Sequence, residues 1–337
     1  MPDARRGFSI VTGATVSALV NADLKGCMDV VREAYLAHAR GQTVNPPSFF
    51  LRFPDKPEAR IIGLPAHIAQ PSPFSGIKWI SSFPRNIGRG EPRASAVLVL
   101  NDHENGFPFT CIEASVVSAA RTAGSAVLFA SSVWRGERHV DTAAIVGTGF
   151  IASNVYRFLI GTGWRIEHLQ LFDLDAARAQ RFAGDVCDRA QHASVTVAPT
   201  IAQALKRSQL IVFTTVSATP HVDDPALFEH NPVVLHVSLR DLAPELLLRA
   251  SNFVDDIDHV MHADTSPHLA EKLTGSRDFV SGTIADVIEG RREPDRTKPV
   301  IFSPFGLGVL DLAVGKWIYD RAVAEGRHIA IDDFFCD

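Results

Sequence analysis

Apolar residues recur at three- and four-residue intervals through residues 24–40, at Leu24, Met28, Val31, Tyr35 and Ala39. This spacing predicts a long amphipathic helix, which Gly41 would stop. Ahead of it, Phe8, Ser9, Ile10 and Val11 read as a short strand, with Thr12 or Thr15 placed to cap the next element. From residue 44 to 99 the period shortens. Pro46 and Pro47 open an extended segment over 48–53, and residues 60–64, 76–81 and 94–100 are further β-rich runs. A polar loop over 82–93 carries Arg85, Arg89 and Arg93. Asn105-Gly106 marks a hairpin tip, and residues 107–112 would return as a strand. Residues 113–132 read as a helix rich in small residues, suited to close packing, with Arg121 at its middle. This half is predicted to be α+β, with hairpin-connected strands behind one long helix.

Beyond residue 141 strands and helices alternate. An apolar run at 143–146 leads into Gly147-Thr148-Gly149-Phe150-Ile151-Ala152 and then a helical pattern through Val155, Phe158 and Leu159. A second apolar run, 168–172, ends in Asp173. A helix over 176–189, a strand at 194–197, a short helix at 201–207 and a buried strand at 210–214 come next, the last ending in Thr214-Thr215. Residues 233–238 form another strand, with Asp241 just beyond. A short helix at 244–250 precedes a last strand at 253–256, and the tail ends in a helix over 312–324. Such alternation implies a parallel sheet with right-handed crossovers. The fold class is therefore α/β: a Rossmann-type, doubly wound parallel sheet plus an α+β domain.

Composition narrows this picture. The 337 residues suffice for two domains, and 46% hydrophobic with 21% charged residues is ordinary for a globular protein. A net charge of −5 argues against a nucleic-acid face. No uninterrupted apolar run approaches the roughly 18 residues that span a bilayer. The first residues, MPDARRGFSIV, carry no signal-peptide pattern. Cys27, Cys111, Cys187 and Cys336 form no metal-binding spacing, which suits free thiols in a reducing cytoplasm.

Gly147–Ala152 has the G-x-G-x-x-A form of the dinucleotide fingerprint, in its proper place between a strand and a helix. Gly147 would make the tight turn, Gly149 would let the backbone approach a pyrophosphate, and Ala152 would pack closely. Thr148, Phe150 and Ile151 complete the loop. Asp173, at the end of the second strand, would accept hydrogen bonds from a ribose and repel a 2′-phosphate, which selects NAD over NADP; Arg178 nearby works against that selection. Thr214 and Thr215, at another strand end, would line the cofactor. A glycine turn without a ligand is the plainer alternative.

Four polar residues interrupt apolar surroundings: Lys78 in a strand-like run, Arg121 among alanines, Asp241 after a buried strand, and Arg52 among phenylalanines. Each alone could be a solvated position or a structural ion pair. Beside a nicotinamide fold they suggest a site for an anionic substrate. Lys78 could itself act as a catalytic base if desolvated; His67 and His236 are further alternatives for proton transfer, although His236, inside an apolar run, reads as a satisfied core residue.

Together these motifs resemble the ornithine cyclodeaminase/μ-crystallin family: Gly76-Ile77-Lys78-Trp79, Arg121-Thr122-Ala123, the glycine loop, Asp173, Asp241 with Pro244 and Glu245, and the tail SPFGLGVLD ending at Asp311. Pro65-Ala66-His67-Ile68, the strand around Lys78, and Arg93 with the run up to Asp102 are similar to one branch. Its members oxidise N-(1-amino-1-carboxy-2-ethyl)-L-glutamate with NAD to give L-2,3-diaminopropionate for siderophores and peptide antibiotics. The resemblance implies carboxylate contacts at Lys78 and Arg121, a further one at Arg52, and an acid/base role for Asp241. It implies that Asp311 contacts the nicotinamide side or closes the site. It also implies a substrate-binding and dimerisation domain over 1–117 and 310–337, an NAD-binding domain over 118–309, and a homodimer. Arg52, Lys78, Arg93 and Arg121 would suit a polyanionic amino-acid substrate. Family cyclodeaminases carry an acid just before the motif that reads Leu64-Pro65 here; this chain has Arg60-Ile61-Ile62-Gly63 instead, which counts against ornithine cyclisation. The alternatives are a cyclodeaminase that recycles NAD, a ketimine reductase or an alanine- or opine-type dehydrogenase, and a binding protein without turnover.

Overall fold

The computed structural model describes residues 7–70, 72–134 and 136–336, so the signal-peptide reading of the first residues falls partly outside it. Its strands, in chain order, are β1 (Phe8–Val11), β2 (Thr43–Val44), β3 (Phe49–Phe53), β4 (Lys56–Ile68), β5 (Phe74–Ser82), β6 (Ala94–Asp102), β7 (Pro108–Glu113), β8 (His139–Val146), β9 (Arg165–Phe172), β10 (Ser194–Val197), β11 (Leu210–Phe213), β12 (Val233–His236), β13 (Ser251–Val254), β14 (Val280–Thr283), β15 (Val300–Ser303) and β16 (Ile329–Ile331). The chain divides into two units, Met1–Arg121 with Leu307–Asp337, and Thr122–Gly306.

The first unit is built on a mixed sheet in the order β16-β1-β7-β6-β5-β4-β2, with β3 also paired to β4. Neighbours are antiparallel except β1 and β7. Thr12 accepts from Thr15 N and starts helix α1 (Gly13–Ala22), which the apolar pattern does not predict. Asp23 caps α2 (Leu24–Ala39) through Gly26 N, and Arg40 closes it ahead of Gly41, whose φ of 68° is the left-handed value glycine adopts freely. A third helix, the C-terminal helix (Gly308–Ala324), also belongs to this unit. Helix α1 is thus an addition to the long helix and the tail helix predicted from the sequence, the latter beginning four residues ahead of the predicted 312. The predicted loop over 82–93 contains a 3-10 turn at Pro84–Arg89.

Helix α3 (Ser115–Val133) carries the division between the units, at Arg121/Thr122. By length and composition it could cross a membrane. Its Ala119, Ala120, Ala123, Val127, Phe129 and Ala130 are, however, completely buried within the protein, as in a core helix.

The second unit is an eight-stranded parallel sheet ordered β10-β9-β8-β11-β12-β15-β13-β14. Its order reverses between β8 and β11, the crevice where such sheets place ligands. Every residue of β11, β12, β13 and β15 is buried, as expected for a parallel sheet covered on both faces. Helices α4 (Phe150–Gly161) and α5 (Ala176–Asp185) come after β8 and β9. Helix α5 stops short of the predicted residue 189, because Asp188 caps a separate 3-10 turn at Arg189–Gln191. The strand at Ser251–Val254 is not the last: β14 and β15 succeed it, and β15 inserts between β12 and β13.

Candidate active site

The glycine loop is held from two sides. Gly147 N donates to Phe172 O at 2.8 Å, and Thr214 Oγ1 donates to Gly147 O at 2.6 Å. Gly147 has φ of 85°, and a Cβ there would lie 2.9 Å from the backbone of Thr214 and Thr215, so only glycine fits. Gly149, the N-cap of α4, is different: a Cβ there would meet nothing within 4 Å. No side chain caps α4, so its first-turn N–H groups remain available, and the space before Gly149 is open. These residues fit a diphosphate at a helix N-terminus. Phe150 is exposed, Ile151 is half-buried and Ala152 is buried. A cleft of about 330 Å³ is lined by Thr148, Gly149, Phe150 and Ser153 on one side and by Arg178 and Phe182 on the other.

Asp173 is already engaged with the loop. Its Oδ2 accepts from Thr148 N and Thr148 Oγ1, each at 2.9 Å, and its Oδ1 accepts from Asp175 N at 3.0 Å. The predicted ribose contact thus also braces the loop it faces.

Asp241 lies at the end of a turn that leaves β12. Leu239 takes φ of 78° in that turn, an uncommon value for a branched side chain. The Asp241 side chain is fully buried and accepts hydrogen bonds from Thr215 Oγ1 and Ser238 Oγ. His236 Nε2 lies 3.3 Å from Oδ2 and 3.1 Å from the Asp241 backbone N. His236 Nδ1 is 3.1 Å from Ser303 Oγ. His221 Nε2 approaches Oδ1 to 3.7 Å. Burial pushes this carboxyl upward, but His236, Ser238 and Thr215 outweigh it and hold the group below its ordinary value. The arrangement keeps a buried carboxylate ionised and able to take a proton. Thr215, expected to line the cofactor, also bonds Asp241. His236 is a satisfied core residue, as its sequence setting suggested, and is also the group nearest the carboxylate after the two hydroxyls. Ser238 could have been found from its place in His236-Val237-Ser238-Leu239-Arg240-Asp241; Ser303, on another strand, could not.

In the first unit Lys78, Arg121 and Asp311 meet. Lys78 lies between Leu64 and Leu98 in one cross-strand rung. Its Nζ donates to Asp311 Oδ2 at 2.6 Å and to Ser118 Oγ at 3.1 Å. Arg121 Nε donates to Asp311 Oδ1 at 3.1 Å. The Lys78 and Asp311 side chains are almost wholly inaccessible, and Arg121 keeps 12% exposure. Burial brings the Lys78 ammonium down to about 8; Asp311 opposes this and Arg121 adds to it. Asp311, expected beside the cofactor, has both oxygens taken by these two cations, and Ser118 is the partner that sequence reading missed.

Arg93, half-buried just before β6, donates to Ser82 Oγ at 2.9 Å. No carboxylate pairs with it among the described residues, and burial lowers its basicity somewhat. Arg52 is exposed on β3, opposite Arg60, with its guanidinium 5.4 Å from the Phe50 ring. Arg85 is taken up by Glu58 at 2.6 Å. His67 bonds Ser75, and its ring lies 4.7 Å from that of His103 at a tilt of 33°.

Known proteins resemble this chain over nearly its full length. It is 28% identical over 331 residues to an alanine dehydrogenase of Archaeoglobus fulgidus, with 94% of this chain and 95% of that one covered. It is 26% identical over 314 residues to the N-((2S)-2-amino-2-carboxyethyl)-L-glutamate dehydrogenase of Staphylococcus aureus, covering 88% and 89%. A solved archaeal alanine dehydrogenase dimer with bound NAD superposes with a TM-score of 0.85 at 25% identity, over 98% of this chain and all of that one. The sequence model of one family matches residues 10–326, and the chain therefore belongs to the ornithine cyclodeaminase/mu-crystallin family.

Proposed function

We propose that this protein is an NAD-dependent dehydrogenase that oxidatively cleaves N-(1-amino-1-carboxy-2-ethyl)-L-glutamate to L-2,3-diaminopropionate and 2-oxoglutarate. It would serve siderophore or peptide-antibiotic biosynthesis in the cytoplasm. The observation that carries the substrate is Arg93: a half-buried guanidinium held by a hydroxyl, without a carboxylate of the protein's own among the described residues. It adds to Lys78 and Arg121, and a substrate with three carboxylates uses such a supply of cations. Ornithine, with a second amine, does not. The S. aureus relative supports the same reading.

NAD, when bound, supplies the hydride acceptor. Gly147, Thr148, Gly149, Phe150 and Ile151 would hold its diphosphate, and Asp173, Thr214 and Thr215 its riboses. Lys78 and Arg121 take one substrate carboxylate, and Arg93 and Arg52 take others; a guanidinium can do so bidentately. Asp241 accepts the proton of the substrate's secondary amine, so that the lone pair can assist loss of hydride from the glutamyl Cα. The product imine adds water, which Asp241 orients, and the C–N bond breaks to give the amine of diaminopropionate and the keto group of 2-oxoglutarate. Orientation of this kind contributes several kcal/mol to lowering the barrier.

We further propose a homodimer formed through the open face of the first unit's sheet. Phe49, Gly63, Trp79 and Val97 form one rung there, with Phe49 66%, Trp79 43% and Val97 42% exposed. The solved alanine dehydrogenase is a dimer.

A substrate panel with NAD and NADP tests the reaction, read by net formation of reduced nicotinamide. Reduced cofactor with the carboxyethyl-glutamate substrate is the expected result. Turnover of alanine alone, or of ornithine to proline without net reduced cofactor, would replace this reading.

A further inference from the structure

The first turn of the C-terminal helix has a purpose that its sequence does not reveal. Gly308, Asp311 and Gly315 lie at helical spacing on one face. A Cβ at Gly308 would sit 3.3 Å from Leu64 O, and one at Gly315 would collide with the Leu98 side chain. The two glycines thus let the helix lie directly on strands β4 and β6. Leu64 and Leu98 are the partners of Lys78 in its rung. The residue midway between the glycines therefore lands on Lys78, and that residue is Asp311.

We propose that Asp311 is the positioning residue of the carboxylate site, fixing Lys78 and Arg121 and leaving the cluster one net positive charge, the complement of a single substrate carboxylate. The inference rests on the reading of Lys78 and Arg121 as carboxylate contacts. Without Asp311, two buried cations would repel each other, and Lys78 would shed its proton, since burial already disfavours its charge. With it, one oxygen serves each cation: Oδ2 the ammonium and Oδ1 the guanidinium. The groups facing Lys78 are Asp311 from the C-terminal helix and Ser118 and Arg121 from α3, so its charge depends chiefly on this acid.

The test compares Asp311→Asn and Asp311→Glu with the wild type in kcat and KM across pH, together with NAD affinity by fluorescence. In Asp311→Asn, KM for the amino-acid substrate should rise about tenfold or more while NAD affinity holds, and the basic limb of kcat/KM should move to lower pH by about one unit. Asp311→Glu, which keeps the charge, should retain the wild-type limb. An unmoved limb in Asp311→Asn, or equal shifts in both variants, would overturn the proposal. Should Asp311→Asn not fold, the Lys78→Met/Asp311→Asn double variant is expected to fold, because the stranded ammonium is gone; equal failure of the double variant would count against the idea. If the wild type turns over none of the substrates, the function proposed above fails and takes the carboxylate role with it, while the fixing of Lys78 by Asp311 is tested separately. The pH dependence of melting then decides it: the rise in stability caused by Lys78 losing its proton should begin at lower pH in Asp311→Asn, and an unchanged onset refutes the role.

Discussion

Nε2 of His236 lies 3.3 Å from Oδ2 of Asp241, and both side chains are fully buried. With the Ser238 and Thr215 hydroxyls, this contact favours the ionised carboxylate against the effect of burial. The consequence for catalysis has a definite sign. A carboxyl held below its ordinary value remains a base as the pH falls through the usual carboxylate range. The acid limb of kcat/KM should therefore lie below that range in the wild type. Ser238→Ala removes a donor to the ionised form and should move the limb to higher pH. Asp241→Asn should lower kcat by about 10²- to 10⁴-fold, the usual worth of a general base, with NAD affinity unchanged. A wild-type limb near neutrality, or a limb indifferent to Ser238→Ala, would remove Asp241 from this role.

Gly147 and Gly149 belong to one motif but should fail differently. Gly147→Ala places a Cβ 2.9 Å from backbone atoms at φ of 85°, where neither can yield. It should cost about 1–3 kcal/mol of stability and also lose the cofactor. Gly149→Ala adds a methyl to open space at an ordinary φ of −90°. Its melting temperature should match the wild type while NAD affinity falls at least tenfold, because the methyl occupies the backbone's approach to the diphosphate. Melting curves with and without NAD separate the two, and equal destabilisation by both substitutions would contradict the loop geometry.

How much of the fold is legible in sequence depends on how far the partners lie along the chain. The strand before Gly147 and the helix after it are local, and their pattern predicts them. The strands at Phe8–Val11 and Ser194–Val197 fall on their predicted residues. Helix α1 is hidden because its start, Gly13-Ala14-Thr15, has turn-like composition, and only Val16, Leu19 and Val20 are buried. Strand β15 is four residues between Pro299 and Pro304, and its place between β12 and β13 is set by neighbours dozens of residues away. Asp311 is visible as a motif residue, but its partners are 233 and 190 positions distant, so spacing cannot assign its contacts.

Lys78 should leave a mark on stability as well as on activity. Its ordinary value is 10.5, and burial brings it to about 8 in the folded protein. Between these values the unfolded chain binds more protons than the folded one, so this residue's contribution to stability rises with pH across that window. The full change approaches ~3 kcal/mol, present above the window and absent below it. Lys78→Met removes this contribution. Denaturant unfolding of both proteins across the window should show the wild type gaining relative to the variant as pH rises. A difference that stays flat would mean that Lys78 keeps an ordinary value despite its burial.

The open sheet face offers the clearest test of assembly. Trp79 and Val97 are cross-strand partners on β5 and β6, and Gly63 beside them leaves the indole uncovered. Lys78, their neighbour in sequence, points to the opposite, buried face, since side chains alternate along a strand. A charge at position 79 should therefore disturb association without touching the carboxylate site directly. Trp79→Glu is expected to convert the proposed dimer to a monomer by light scattering, while NAD affinity, whose proposed site lies on the second unit, stays within about twofold of wild type. Val97→Glu, across the same rung, should do likewise. Unchanged molecular mass in both variants would move the interface elsewhere, and a monomeric wild type would show that this face is not an interface between copies of the chain.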